Sequence, residues 1–235
     1  MKKMKKSFAA LTAGLLTLTL AACGGGGLTT FDATAYIQGL MDETYLGKFS
    51  KEYMESVNID QEEAEETYRT SLEVEFQYLA DAFEFDQDYL SEEVYEDALD
   101  VIADLYQNAR YEVKPATKTE NGFAVEVVVQ PYDLVAVIYE EYMEGYGEDF
   151  NQQYSDYTAE MLQAMSDADY EAFLTKYEND WASGILQLFR DHAAEGGYLD
   201  AESIIVQFAP DDDGFYSISD NDFANLDALI LAYQR

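Results

Sequence analysis

The chain has 235 residues with 48 acidic and 13 basic side chains, a formal charge of −35, which disfavours binding to nucleic-acid phosphates or a strongly anionic lipid surface. The only cysteine is Cys23, so an internal disulfide bond and a thiolate metal site are excluded. With 48% apolar residues and only 3 prolines, the chain can bury a sizeable core and has no proline-rich linker to divide it.

The first 23 residues have the pattern of a bacterial lipoprotein signal peptide. Four lysines precede an apolar stretch from Phe8 to Leu20, which is shorter than the ~20 apolar residues that a membrane-spanning helix needs. The stretch ends in Leu20-Ala21-Ala22-Cys23, which resembles the lipobox. This resemblance implies cleavage after Ala22 and attachment of a diacylglyceryl group, with further chains such as palmitate, to Cys23. The alternative is an ordinary secretory signal with a chance cysteine.

These features predict three segments. Residues 1–22 are the signal peptide, residues 23–30 are the lipidated, glycine-rich tether, and residues 31–235 are a single extracytoplasmic α+β domain. Because four of the 13 basic residues leave with the signal peptide, the mature chain would carry 9 basic and 48 acidic side chains, a formal charge of −39. We expect the protein to lie on the outer face of the cell membrane, anchored through Cys23.

After the tether, the apolar spacing predicts helices. Asp32 is expected to cap a first helix that ends near Gly47, with a short continuation at Phe49 and Tyr53. The run Asp60-Gln61-Glu62-Glu63 has the form of a capping box, and Ser91 is expected to cap a third helix. The predicted inward positions of these two helices are Tyr68, Leu72, Phe76, Leu79, Phe83, Val94, Ala98, Ile102, Leu105 and Ala109.

The apolar period then changes to two. Tyr111 and Val113 begin a strand, and Asn121-Gly122 predicts a type I′ hairpin turn into a second strand that ends at Pro131. Asp133 is expected to begin a helix that ends near Gly145 and Gly147. The inward residues of the second strand and of this helix are Phe123, Val125, Val127, Val129, Leu134, Ile138 and Tyr142.

The second half repeats this order. Residues 148–164 are polar, rich in tyrosine and predicted to be helical, and Ser166 begins a long helix that ends at Gly196-Gly197. A second hairpin turns at Asp213-Gly214, and Asp220 or Asp222 caps a last helix. The predicted inward residues are Tyr170, Leu174, Tyr177, Trp181, Ile185, Leu188, Ile204, Val206, Phe208, Tyr216, Ile218, Phe223, Leu226, Ile230 and Tyr233.

The order helices, hairpin, helices, hairpin, helix predicts an α+β fold, with helices packed on a small antiparallel sheet built from two β-hairpins. Asn121-Gly122-Phe123 and Asp213-Gly214-Phe215 both lead toward acid-capped helices. The halves 31–150 and 151–235 are therefore either quasi-repeats or two regions that contain similar hairpins.

The lipobox, the opening Phe31-Asp32-Ala33, the stretch from Asp212 to Asp220 and the acidic, tyrosine-rich helices resemble uncharacterised small lipoproteins of Gram-positive, clostridia-like bacteria. The resemblance spans most of the chain and concerns structural motifs. It implies no activity, no cofactor and no catalytic residue.

Two places invite a search for chemistry. His192, the only histidine, lies near the predicted end of the long helix, where the helix dipole favours it, and a zinc site there would need three carboxylates. Asp211-Asp212-Asp213-Gly214 invites comparison with a calcium loop. With Gly214 at position 6, however, the first position is Ala209 and the twelfth is Asp220, so an acidic hairpin turn is the better interpretation. We expect no metal site, no cofactor and no catalytic residue.

The leading hypothesis is a membrane-anchored surface lipoprotein of unknown role, most consistent with a non-enzymatic binding or scaffolding module whose partner is an envelope protein or a small-molecule ligand. One alternative is a solute-binding lipoprotein of a transporter, which would be expected to have two parallel-sheet lobes. Another is an envelope hydrolase that uses paired carboxylates. Trp181 and the tyrosines could stack on sugar rings, but their helical spacing favours a place in the core.

Overall fold

The N-terminal part of the domain is built from helices whose caps are encoded locally. A computed structural model describes residues 27–211 and 214–235. In it, α1 spans Thr30–Leu46, α2 Lys51–Val57, α3 Gln61–Phe83 and α4 Glu92–Tyr106. Ser50, Asp60 and Ser91 cap the last three through side-chain oxygens, and the predicted capping box of Asp60 and Glu63 is present.

The start of α1 corrects one prediction. Thr29, rather than Asp32, is the N-cap, because the Thr29 hydroxyl accepts from the backbone N–H of Asp32 while the Asp32 carboxylate accepts from that of Thr29. Asp32 is thus the distal member of a capping box. The helix ends at Gly47 as predicted, since its φ of 57° lies in the left-handed region that glycine adopts without strain.

The sheet consists of β1 (Arg110–Val113), β2 (Thr117–Lys118), β3 (Phe123–Gln130), β4 (Glu202–Pro210) and β5 (Tyr216–Ile218). Its order is β1-β3-β4-β5, with β2 also paired to β3, and every strand pair is antiparallel. The two hairpins therefore join through β3 and β4 into one sheet, which confirms the predicted α+β class. The covered face carries Phe123, Val125, Val127, Val129, Val206 and Phe208, all buried.

The first hairpin turn differs from the prediction. In the described residues, positive φ outside glycine occurs at Asn58 and Glu84, so Asn121 does not have the positive φ of a type I′ turn. The backbone N–H of Thr119 donates to the carbonyl of Gly122 at 2.9 Å, so the turn is centred on Glu120 and Asn121, one residue earlier than predicted. The short strand β2 leads into this turn and pairs with the start of β3. Gly122 packs directly against the backbone of β4, where a side chain would collide.

The helix after Pro131 is longer than predicted. It comprises α5 (Leu134–Val137), a π-helical turn (Ile138–Tyr142) and α6 (Met143–Gln153). Gly145 and Gly147 lie inside α6 and do not end it. Rings on this helix pack against α8 (Asp167–Asp191), with the ring centroids of Tyr146 and Trp181 5.1 Å apart, so tertiary packing overrides the low helix propensity of glycine.

A short helix α7 (Ala159–Gln163) connects α6 to α8, and Ser166 caps α8 as predicted. The C-terminal half of α8 alone enters the core, because Ala182, Ile185, Leu186 and Phe189 are buried whereas Tyr170 is exposed. The prediction that Tyr170 faces the core was therefore wrong. The helix ends at Asp191, with His192 as its C-cap, several residues before Gly196-Gly197.

The last helix, α9 (Asp220–Asp227), is capped by Ser219 and not by Asp220 or Asp222. The Asp222 carboxylate instead accepts from the backbone N–H of Gln207 on β4. The helix ends before Ile230 and Tyr233, which pack from the segment beyond it. The predicted turn residue Asp213 lies outside the described residues, but Pro210 pairs with Tyr216, so the second hairpin is formed.

Candidate functional site

A cleft of about 500 Å³ lies between α4, the residues just after β3 and the C-terminal end of α8. Its buried lining residues are apolar, and two alanines line it from the segment after α8. We refer to this feature as the cleft. It is lined by Val101, Asp104, Leu105, Gln107, Asn108, Tyr132, Leu134, Phe189, Arg190, Ala193 and Ala194.

The folded chain brings the cleft together from three distant segments. Residues 101, 104, 105 and 108 follow one another at helical spacing, so α4 and its C-terminal turn present one continuous stripe to the cleft. Tyr132 is fixed by an antiparallel bridge to Tyr198 and a hydrogen bond from its hydroxyl to the carbonyl of Ala193. No local motif encodes this arrangement, which explains why the sequence did not reveal it.

The polar rim of the cleft is pre-organised. The Arg190 guanidinium donates to both carboxylate oxygens of Asp97, at 3.1 and 2.5 Å, which fixes its plane. The side-chain amide of Asn108 donates to the carbonyl of Asp104 at 2.9 Å. Nearby, the Arg110 guanidinium lies 3.5 Å from the centre of the Tyr198 ring. An apolar interior with a few fixed polar groups suits a small ligand that has an apolar body and hydrogen-bonding substituents.

The lining contains one carboxylate, Asp104, so paired acids do not face each other across the described walls of the cleft. Two other carboxylates lie close to a shared group of tyrosines but are buried in the core. Tyr45 donates to Asp227 at 3.0 Å, and Tyr106 donates to Glu75 at 3.1 Å. The first hydrogen bond links α1 to α9 and the second links α4 to α3, so these two carboxylates have a structural role.

His192 lies at a helix end, as predicted, within a small polar cluster. Its ring stacks on Tyr142 with 3.7 Å between centroids, and its Nδ1 is 2.8 Å from a carboxylate oxygen of Glu195. Tyr142 donates to the other oxygen of Glu195 at 2.5 Å. That hydrogen bond raises the pKa of Tyr142 to about 12 and lowers the pKa of Glu195. The π-helical turn delivers Tyr142 to this position, which sequence periodicity did not indicate.

Glu43 is a second feature that the sequence did not reveal. It lies on the buried side of α1, where one carboxylate oxygen accepts from the Tyr53 hydroxyl at 3.2 Å. The other oxygen is buried without a hydrogen-bond partner, the one such side-chain atom found among the described residues. Burial raises the pKa of Glu43 to about 7, although the hydrogen bond from Tyr53 opposes the rise.

Ala22 and Cys23 lie outside the described residues, as do Asp212 and Asp213 of the acidic turn. The Asp211 carboxylate accepts from the backbone N–H of Phe215 at 2.9 Å, as expected for a hairpin turn.

Within residues 27–211 and 214–235, no group of three or more His, Cys, Asp or Glu side chains is arranged to hold a metal ion. Across the same part of the chain, no helix combines the length and apolar character that crossing a bilayer requires.

In sequence, no model of a protein family matches this chain and no curated protein matches it. In fold, it is similar to YcdA of Bacillus subtilis subsp. subtilis str. 168, a "putative lipoprotein" of known crystal structure, with a TM-score of 0.55 and 14% sequence identity. The match covers 86% of this chain and 56% of YcdA, so this chain spans little more than half of the other protein's length. At this identity the likeness concerns the fold.

Proposed function

We propose that the protein is a membrane-anchored lipoprotein of the outer face of the cell membrane and acts there as a non-enzymatic binding module. Two features support the anchor: the sequence that resembles a lipobox and ends in Cys23, and a fold similar to that of YcdA, which is described as a "putative lipoprotein". The four glycines from Gly24 to Gly27 would connect the lipid-bearing residue to the folded domain.

The cleft carries the binding part of the proposal. Its walls combine buried apolar side chains with the fixed guanidinium of Arg190 and the amides of Gln107 and Asn108. A ligand with an apolar body could displace water from the interior while its polar groups meet the rim. The single carboxylate of the lining supports binding over hydrolysis, which would use a second acid.

The anchor is tested by cell fractionation of the wild-type chain and a Cys23→Ala variant, grown with a fatty acid that can be tagged chemically. The wild type should be tagged and found with membranes, and the variant should be untagged and released from them. Equal distribution of the two proteins would contradict the anchor.

Binding is tested by thermal shift with a panel of sugars, amino acids, peptides and cell-wall fragments. A ligand at 100 times its dissociation constant stabilises by about 2.7 kcal/mol, or a few degrees for a domain of this size. The Ala194→Trp variant fills the cleft from an exposed position and should abolish the shift. Ala201→Trp is the control, because Ala201 is exposed and not part of the lining. A flat response of the wild type, or a shift that Ala194→Trp retains, would overturn the cleft as the binding site.

A further inference from the structure

The second surface of interest is a helical arm that is separate from the cleft. The arm consists of α6, α7 and the N-terminal half of α8, and aromatic side chains hold it together. Phe150 and Tyr154 are buried between the helices, with Tyr177 4.9 Å from the first ring and 4.8 Å from the second. At its base, the Trp181 indole donates to the carbonyl of Phe83 at 2.9 Å.

Beyond this base, the arm ends in an exposed apolar tip. We define the tip as residues 156–173. Tyr157, Met161 and Tyr170 are 42%, 50% and 41% exposed, among the highest values for large apolar side chains in the described residues. The half-buried Phe173 lies between the two tyrosines, with ring centroids 4.7 Å from Tyr157 and 6.4 Å from Tyr170. The exposed rings therefore belong to one continuous aromatic surface.

The tip is also strongly acidic. Asp167 and Asp169 occupy the first turn of α8 and Glu160 that of α7, where the helix dipole stabilises a carboxylate, but Asp156 and Glu171 have no such role. All five carboxylates are exposed, and the only basic residue between positions 143 and 189 is Lys176. Lys176 is already paired with Asp180. The acids of the tip are Asp156, Glu160, Asp167, Asp169 and Glu171.

The tip combines exposed tyrosine rings with five exposed carboxylates, which together are complementary to basic side chains. Lys176, the nearest basic residue in the sequence, is held by Asp180 and by the hydroxyl of Tyr154. A lysine or arginine can place its cationic group over a tyrosine ring while nearby carboxylates pair with its charge. Its aliphatic stem can cover the exposed Met161. A neutral or acidic partner would leave the carboxylates uncompensated. On this charge complementarity, we propose that the tip of the arm docks a lysine- or arginine-bearing segment of a partner protein.

The test uses the full-length protein in non-ionic detergent and a fluorescent basic peptide, heptaarginine, as the probe, with affinity read from polarisation. Because the chain carries a large negative charge, general attraction must be separated from the tip. Glu160→Gln with Glu171→Gln removes two charges at the tip, and Glu62→Gln with Glu66→Gln removes two exposed charges on α3. The tip variant should weaken binding at least fivefold more than the α3 variant.

A third variant removes the ring faces without changing the charge. Tyr157→Leu with Tyr170→Leu should weaken binding of the peptide by about five- to thirtyfold, since each exposed cation–π contact contributes about 0.5–1 kcal/mol. An equal loss in the tip and α3 charge variants would overturn the proposal in favour of bulk attraction. Unchanged binding by the leucine variant would also overturn it.

A second copy of the chain is the competing occupant. Light scattering of the same full-length samples distinguishes it from a basic partner. If a basic segment is the occupant, each detergent-bound particle should contain a single copy of the chain, both for the wild type and for the leucine variant. A dimer that Tyr157→Leu with Tyr170→Leu converts to a monomer would assign the tip to self-association and overturn docking of a basic segment.

Discussion

Replacing Glu43 with glutamine should stabilise the protein at neutral pH, although the change removes a hydrogen-bonded carboxylate. Glu43 is fully buried, one of its oxygens has no partner, and its pKa is raised from 4.5 to about 7. A rise of this size corresponds to roughly 3 kcal/mol of unfavourable free energy once the group is ionised. Glutamine keeps the shape and the acceptor for Tyr53 but cannot ionise.

The pH dependence identifies the cause. Because the folded state holds the Glu43 proton more tightly than the unfolded state, its contribution to stability is full below pH 4.5 and is lost as pH rises to about 7. The advantage of Glu43→Gln should therefore be about 3 kcal/mol at pH 8 and less than about 1 kcal/mol at pH 5. Urea unfolding followed by the fluorescence of Trp181, the only tryptophan, measures both values.

Glu62→Gln, an exposed change of the same charge, is the control and should leave the pH profile of stability almost unchanged. If Glu43→Gln gave the same difference from wild type at pH 5 and pH 8, ionisation of the buried group would not be the cause. A loss of stability at pH 8 would refute the reasoning altogether.

Substitutions elsewhere test the packing. Gly39→Ala should destabilise by about 1–3 kcal/mol, because its Cβ would collide with the ring of Tyr53, whereas Gly145→Ala, in open space within α6, should stabilise by about 0.5–1 kcal/mol. The same sign for both changes in urea unfolding would contradict the close approach of α1 and α2. Tyr45→Phe should cost about 1.5–3 kcal/mol by removing the buried donor to the Asp227 carboxylate. A melting temperature equal to that of the wild type would show that this bond contributes little.

Where a local rule acted alone, the sequence was sufficient. The capping box at Asp60 and the cap at Ser91 were predicted at the right residues, since the side chain and the N–H that it accepts from are three positions apart. Asp32 and Asp222 were also predicted as helix caps, but each is the residue whose backbone N–H donates to the cap. In both cases a hydroxyl residue three positions earlier, Thr29 or Ser219, caps the helix.

Predictions failed where distant packing decides the local structure. The helix after Pro131 continues through two glycines because its aromatic side chains find partners on α8, and a π-helical turn adjusts its register. Tyr170 fits the apolar period of α8, but it lies in the N-terminal half of the helix, which is outside the core. Periodicity shows which face of a helix is apolar, but it does not show how far along the helix that face remains covered.

The candidate site could not be predicted for a similar reason. The cleft combines α4, Tyr132 and Leu134, and the end of α8, segments that are far apart in the sequence. The burial of Glu43 depends on the close packing of Tyr53 against Gly39, which the sequence does not mark. Periodicity and turn motifs gave the elements and the architecture, but the cavities follow from which side chains happen to be small where elements meet.

The most direct test of the central proposal is mass spectrometry of the N-terminal peptide from protein isolated from membranes. The proposal predicts a chain that begins at Cys23 and carries a diacylglyceryl group on its sulfur, with residues 1–22 removed. A chain cleaved at another residue, or a Cys23 without lipid in the membrane fraction, would contradict it.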